Sequence, residues 1–96
     1  MRPSTALAQH RSRIREIARL HHFAEVKVFG STARGMDAER SDLDLLVEPT
    51  GQTTLFDLGA LRSDLQDLLG IDVDLLTPNS LPAPYRTRVL DEARPV

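Results

Sequence analysis

The stretches VFGSTARG at residues 28–35 and SDLDLLV at residues 41–47 decide the fold of this 96-residue chain. The first stretch closes an alternating, β-branched run that stops at Gly30, which predicts a strand followed by a turn. The second stretch is an apolar run of strand length that begins around Asp42. Two strands, separated by a short helix and a polar loop, are therefore predicted in this part of the chain.

Hydrophobic periodicity on either side predicts the remaining elements. They are helices over residues 4–22, 31–36, 55–69 and 85–93 and a third strand over residues 71–76, with Thr54 as a cap and Gly70 as a stop for the third helix. This order predicts one α/β (α+β) domain over residues 1–96. The domain would have a three-stranded mixed sheet packed with about four helices.

Composition excludes several functional classes. The chain has no cysteine, so a metal would need oxygen or imidazole ligands, and a cytoplasmic location is favoured. Charged residues interrupt the first twenty positions, which predicts neither a signal peptide nor a membrane span. A net charge of −2 and a pI near 5.8 provide no cationic field, and this argues against direct nucleic-acid binding.

The residues that follow the first predicted strand suggest phosphate and metal chemistry. Gly30 and Ser31 precede a short helix, where backbone N–H groups and a hydroxyl can face an anion. Ten residues separate Ser31 from Asp42, and Asp42 and Asp44 project from one face because strand side chains alternate. Two neighbouring carboxylates repel each other unless a cation neutralises them. This pair therefore predicts Mg²⁺ or Mn²⁺ binding.

The third predicted strand offers another carboxylate for the same site. Asp72 and Asp74 share one face of that strand, and Asp74 is chosen because apolar residues flank it, whereas solvent can satisfy Asp72 at the strand start. Together with Asp42 and Asp44, Asp74 predicts a three-carboxylate, two-metal site. Such a site suits in-line displacement at an α-phosphate with pyrophosphate as the leaving group.

These stretches resemble the signature of the DNA polymerase β nucleotidyltransferase superfamily in its minimal nucleotidyltransferase (MNT) branch. VDLLTP at residues 73–78 is similar to the third-carboxylate strand of that family, and residues 86–93 are similar to its C-terminal helix. The resemblance covers residues 25–94 and implies a small nucleotidyltransferase fold. The combination of Gly-Ser, Asp-x-Asp and a later Asp is far more specific than any one of these pieces.

The resemblance implies an enzyme and a partner. It implies a cytoplasmic antitoxin that transfers AMP from ATP to a tyrosine of a HEPN-domain ribonuclease toxin, with two Mg²⁺ ions or Mn²⁺ in their place. It also implies roles for six residues: Gly30 and Ser31 on the triphosphate, Asp42 and Asp44 on the metals, Asp74 on the catalytic metal and the nucleophile, and Arg34 on phosphate charge.

Other interpretations stay open at this point. The Gly30 turn could be only a capped turn, Asp74 could be a structural carboxylate, and Arg34 is as compatible with a surface ion pair as with a phosphate contact. A binding-only antitoxin would neutralise its toxin by forming a complex without nucleotide or metal. A third class is a nucleotidyltransferase that acts on a small molecule or a nucleic acid.

Overall fold

The computed structural model describes residues 1–96 and contains four α-helices, one 3-10 helix and four strands. In chain order the elements are α1 Pro3–Leu20, β1 Phe23–Phe29, α2 Gly30–Ala33, β2 Leu43–Pro49, α3 Leu55–Leu69, β3 Val73–Leu76, the 3-10 turn Pro78–Ser80, α4 Ala83–Glu92 and β4 Arg94–Pro95. The predicted α+β class is confirmed. None of the helices combines the length and the apolar composition that crossing a lipid bilayer requires.

The sheet is mixed and has the strand order β3-β2-β1-β4. β1 runs antiparallel to β2 and β4, whereas β2 and β3 are parallel. The predicted count of three strands is wrong, because Arg94 and Pro95 form a fourth strand that pairs with Val28 and Lys27. Two residues carry no alternating pattern, and proline has no N–H to donate, so sequence periodicity gives no sign of β4.

The sheet buries one face beneath α1 and α3. Leu43, Leu45 and Val47 of β2 and Val73 of β3 are completely buried there, within a core cluster of 16 residues. Because side chains alternate along a strand, the residues between them point to the opposite face. Asp44 and Asp74 therefore lie on the face away from this main core.

The second face carries a smaller apolar cluster. Phe29 and Leu46 pack there with Leu81 and Ala93, and Val89 of α4 lies at the edge of the cluster. The end of α4 is therefore fixed by packing against the same strands that carry the site.

The predicted N-terminal cap and C-terminal glycine of α3 are confirmed. Thr54 accepts a hydrogen bond from the Asp57 N–H, Asp57 accepts one from the Thr54 N–H, and Gly70 ends the helix in the left-handed region. This helix places Leu61, Leu65 and Leu69 in the main core and leads directly into β3.

Candidate active site

A tight turn joins the end of β1 to α2 and brings the main chain against a carboxylate. Gly30 has a φ of 73°, in the left-handed region that favours glycine. A Cβ at this position would collide with Asp44 Oδ2 and lie 3.1 Å from Asp44 Cγ. The backbone conformation therefore favours glycine here, and any larger residue would displace the Asp44 side chain.

The acidic residues named from the sequence come together at the start of β2 and in β3. Asp44 and Asp74 are register partners across the parallel pair, so they project from the same face of the sheet. Asp42 is exposed and lies immediately before β2. Asp44 and Asp74 thus lie side by side next to the Gly30 turn, and Asp42 is near enough for its charge to affect Asp44.

The electrostatics of Asp44 reflect this crowding. The pKa of its carboxyl is raised to about 6. Partial burial is the largest cause, and the nearby negative charges of Asp74 and Asp42 contribute the next part. Arg34 acts in the opposite direction, whereas Glu92 adds to the increase. Asp44 therefore lies in a local excess of negative charge that a bound cation would relieve.

Asp74 lies beside Asp44 because of strand pairing, and not because flanking apolar residues bury it as the sequence predicts. Its side chain is exposed, so the apolar neighbours along β3 do not bury it. Strand register determines its position instead, because it pairs with Asp44. Asp72 is exposed as well and lies before β3, where its backbone carbonyl accepts the Leu43 N–H.

The donor chemistry fits a hard divalent cation, although the side chains do not form a ready cage. No group of three or more His, Asp or Glu side chains is arranged to hold an ion. The oxygen donors of Asp42, Asp44 and Asp74 are nevertheless those that Mg²⁺ and Mn²⁺ prefer. The raised pKa of Asp44 shows that a cation beside this carboxylate would stabilise its charged form.

Arg34 and Glu92 form an ion pair at the rim of this turn. Arg34 Nη1 lies 3.1 Å from Glu92 Oε2 and 3.3 Å from Oε1, and the Gly30 N–H donates to Glu92 Oε1 at 3.0 Å. Partial burial alone would raise the pKa of the Glu92 carboxyl, but the hydrogen bonds from Gly30 and Arg34 outweigh it and lower that pKa.

Glu92 was not identified from the sequence. It lies 62 residues from Gly30, and no spacing rule connects the last turn of α4 to the end of β1. The structure therefore shows Arg34 in the ion pair with a carboxylate that was one of its two interpretations from the sequence. A phosphate contact by Arg34 would use its remaining N–H donors.

The other predicted phosphate contact is open to solvent. Ser31 is only partly buried, so no other element covers it. The neighbouring Thr32 Oγ1 is buried without a hydrogen-bond partner. A cleft of about 510 Å³ lies elsewhere, along the β1 edge near Phe23 and Val96. The carboxylate site is therefore an open surface and not a deep pocket.

Comparison with known proteins shows the family of the chain. The nucleotidyltransferase domain family matches residues 8–96. A Methanocaldococcus jannaschii protein provisionally named protein adenylyltransferase MJ0435 is 41% identical over 73 residues, which cover 76% of this chain and 78% of that protein. The protein adenylyltransferase MntA of Thermococcus cleftensis is 36% identical over 86 residues, covering 90% and 84%.

Solved structures share the same fold. One that is provisionally described as a minimal nucleotidyltransferase superposes with a TM-score of 0.87 at 40% identity, covering 100% of this chain and 97% of the other. A toxin-antitoxin structure with AMP-PNP has a TM-score of 0.73 at 22% identity, covering 88% and 69%. The toxin-antitoxin MntA-HepT has a TM-score of 0.67 at 19% identity, covering 91% and 68%.

The last two similarities concern the fold alone, whereas the family match and the closer relatives extend over most of the chain. The protein is thus an enzyme that belongs to the nucleotidyltransferase family, in its minimal branch.

Proposed function

We propose that this chain is an antitoxin that transfers AMP from ATP to a tyrosine hydroxyl of a HEPN-domain ribonuclease toxin. The observation that carries the proposal is the register pairing of Asp44 with Asp74 beside the Gly30 turn. Relatives named as protein adenylyltransferases support a protein acceptor. The fold similarity to a toxin-antitoxin pair, and to one with AMP-PNP, supports a toxin partner and an adenine nucleotide.

The triphosphate end of ATP is assigned to the Gly30 turn. The Ser31 hydroxyl and the N–H groups of α2 that follow Gly30 would bind phosphate oxygens, with the unused donors of Arg34 close by. Phosphate binding next to three carboxylates is electrostatically unfavourable unless cations neutralise them. Nucleotide and metal binding should therefore be strongly coupled.

The metal ligands are assigned to Asp42, Asp44 and Asp74, with two Mg²⁺ ions as the cofactors and Mn²⁺ as a substitute. When bound, such ions supply charge neutralisation and polarise the α-phosphate. Asp44 is ionised above about pH 6, so at neutral pH it is ready to act as a ligand.

The transfer step requires an attacking hydroxyl and a leaving group. The tyrosine oxygen forms a bond to the α-phosphorus while the bond to pyrophosphate breaks. Asp74, exposed on the outer face of β3, would orient the hydroxyl and help to remove its proton. The products are the adenylylated tyrosine and pyrophosphate.

The open shape of the site supports a macromolecular acceptor. The carboxylates lie on a surface, and the cleft of about 510 Å³ at the β1 edge is formed by other residues. A small acceptor is normally bound in a concave pocket that buries most of its surface. A partner protein can bring its own tyrosine to a flat site, because it provides the covering surface itself.

A transfer experiment tests the proposal. Purified chain, a HEPN-domain ribonuclease toxin, Mg²⁺ and ATP labelled in the α-phosphate are mixed, and label on the toxin and its RNase activity are followed. Wild type should label a toxin tyrosine and abolish RNase activity. Asp42→Asn and Asp44→Asn should do neither, whereas Asp72→Asn, an exposed aspartate outside the proposed ligand set, should behave as wild type.

Other outcomes would identify the rival functions. Full neutralisation by both inactive variants, with no label transferred, would mean that complex formation alone silences the toxin. Turnover of labelled ATP onto a metabolite or a nucleic acid, in the absence of any toxin, would mean that the acceptor is not a protein.

A further inference from the structure

Glu92 links the C-terminal helix to the turn that is proposed to bind phosphate. Its Oε1 accepts the Gly30 N–H at 3.0 Å, and both carboxylate oxygens lie within 3.3 Å of Arg34 Nη1. The Glu92 side chain is 19% exposed, compared with 42% for Arg34. The less exposed Glu92 therefore restrains the more exposed Arg34. One carboxylate therefore holds two groups of the proposed nucleotide site.

Packing fixes the position from which Glu92 reaches this turn. The adjacent Ala93 is buried in the second apolar cluster with Phe29 and Leu46, and Val89 packs against it from the preceding turn of α4. Phe29 immediately precedes Gly30. The backbone of Glu92 and the backbone of the turn are thus fixed to the same cluster, which keeps the hydrogen-bond geometry stable.

The bonding pattern leaves donors available. Arg34 uses only Nη1 toward Glu92, so its Nε and Nη2 hydrogens remain for another anion. A guanidinium that is held on one side loses less rotational freedom when it binds a phosphate on the other. An arginine exposed without such a partner would contribute less to nucleotide binding.

We propose that Glu92 is a positioning residue for nucleotidyl transfer, because it fixes the turn by accepting the Gly30 N–H and orients the Arg34 guanidinium, whose remaining donors face the triphosphate. This inference rests on the proposed function and adds a residue to its machinery. Glu92 does not contact the reacting atoms, so it acts through Gly30 and Arg34. Two other roles give different results: a negative charge that repels ATP, and a purely structural contact between α4 and β1.

The test compares Glu92→Ala and Glu92→Gln with Asp91→Asn, an exposed acid at the adjacent position of α4. Binding of AMP-PNP with Mg²⁺ is measured by calorimetry, and the KM for ATP and kcat are measured in the labelled transfer assay. Glu92→Ala should raise both Kd and KM about tenfold, the loss expected for a charge-assisted contact. Glu92→Gln should raise them less, because its amide oxygen still accepts the Gly30 N–H. Asp91→Asn should match wild type.

A double substitution adds a readout that a structural contact would not change. If Glu92 works through Arg34, the combination of Glu92→Ala with Arg34→Ala should weaken binding little more than Arg34→Ala alone. Tighter AMP-PNP binding by the Glu92 variants would overturn the inference in favour of a repelling charge. A lower melting temperature with unchanged Kd and KM would overturn it in favour of a structural contact.

The same measurements separate this inference from the proposed function. If wild type neither binds AMP-PNP nor transfers label, the proposed function fails, and the role of Glu92 in it fails as well. If wild type is active and all three single variants match it, only the inference about Glu92 fails.

Discussion

Asp44 on β2 and Asp74 on β3 are direct register partners on parallel strands and project from the same face of the sheet. Adjacent strands lie about 4.8 Å apart, so two carboxylates at this position strongly influence each other. The pairing explains how residues 30 positions apart form one acidic site. It also distinguishes Asp74 from Asp72, which lies before β3 and outside this pair.

Asp74→Asn should abolish nucleotidyl transfer, whereas Asp72→Asn should leave it nearly unchanged. Loss of a metal ligand that also helps to ionise the acceptor should lower kcat about a thousandfold, equivalent to several kcal/mol of transition-state stabilisation. Initial rates of label transfer at saturating ATP provide the comparison. Equal rates for the two variants, whether high or low, would show that strand register does not select the third carboxylate.

The charge of Asp44 should make the metal-free protein less stable as the pH rises from about 4 to about 6. Its folded pKa of about 6 lies above the value of 3.8 for a solvated aspartate, so the folded state binds the proton more tightly and loses that advantage on ionisation. Because Asp44 is only partly buried, the effect should be on the order of 1 to 2 kcal/mol.

Urea unfolding of wild type and Asp44→Asn in EDTA at a series of pH values isolates this contribution. The variant should gain stability relative to wild type as the pH increases, and Mg²⁺ should reduce the difference by binding wild type. A difference between the two proteins that stays constant from pH 4 to pH 7 would contradict the crowding of charge at Asp44.

Gly30→Ala should damage the protein more than Gly35→Ala, although both glycines have positive φ values, of 73° and 71°. Alanine at 35 meets no atom within 4 Å, so it carries only the backbone penalty of about 1 kcal/mol. Alanine at 30 also collides with Asp44, which adds about 1 to 3 kcal/mol and displaces that carboxylate.

Chemical denaturation and transfer rates of the two glycine variants measure these effects separately. Gly35→Ala should keep its activity despite a modest loss of stability. Retention of full activity by Gly30→Ala would mean that the turn and Asp44 do not form one site.

Ser31→Ala should impair nucleotide use without unfolding the domain, because the side chain is partly exposed and is not part of either apolar cluster. Loss of one hydrogen bond to a charged group is worth about 1.5–3 kcal/mol, or roughly ten- to hundredfold in kcat/KM. Thermal melting and steady-state kinetics on the same samples distinguish the two effects. A large drop in melting temperature would indicate that Ser31 supports the fold.

The parts of the site that could be predicted from the sequence are those determined by local rules. A β-branched run that stops at Gly30 marks the turn, and strand alternation places Asp42 and Asp44 on one face. The same local rules gave the Thr54 cap and the Gly70 stop of α3, which the structure confirms. Each of these depends on residues that are close together along the chain.

The remaining features depend on contacts between distant parts of the chain. The register that joins Asp44 to Asp74 pairs two strands that α3 separates along the chain, and the apolar residues that flank Asp74 do not bury it. Glu92 reaches Gly30 only because α4 packs against the second face. The two-residue strand at Arg94 exists through its pairing with β1 alone. Local patterns carry no information about such pairings.

Binding of Mn²⁺ in the presence of AMP-PNP, followed by electron paramagnetic resonance, tests most directly whether Asp44 and Asp74 form a metal–nucleotide site. Wild type and Asp72→Asn should both bind the ion, and binding should strengthen when the nucleotide is added. Asp44→Asn and Asp74→Asn should lose nucleotide-coupled binding while remaining folded. Unchanged Mn²⁺ affinity in those two variants would contradict the assignment of the site.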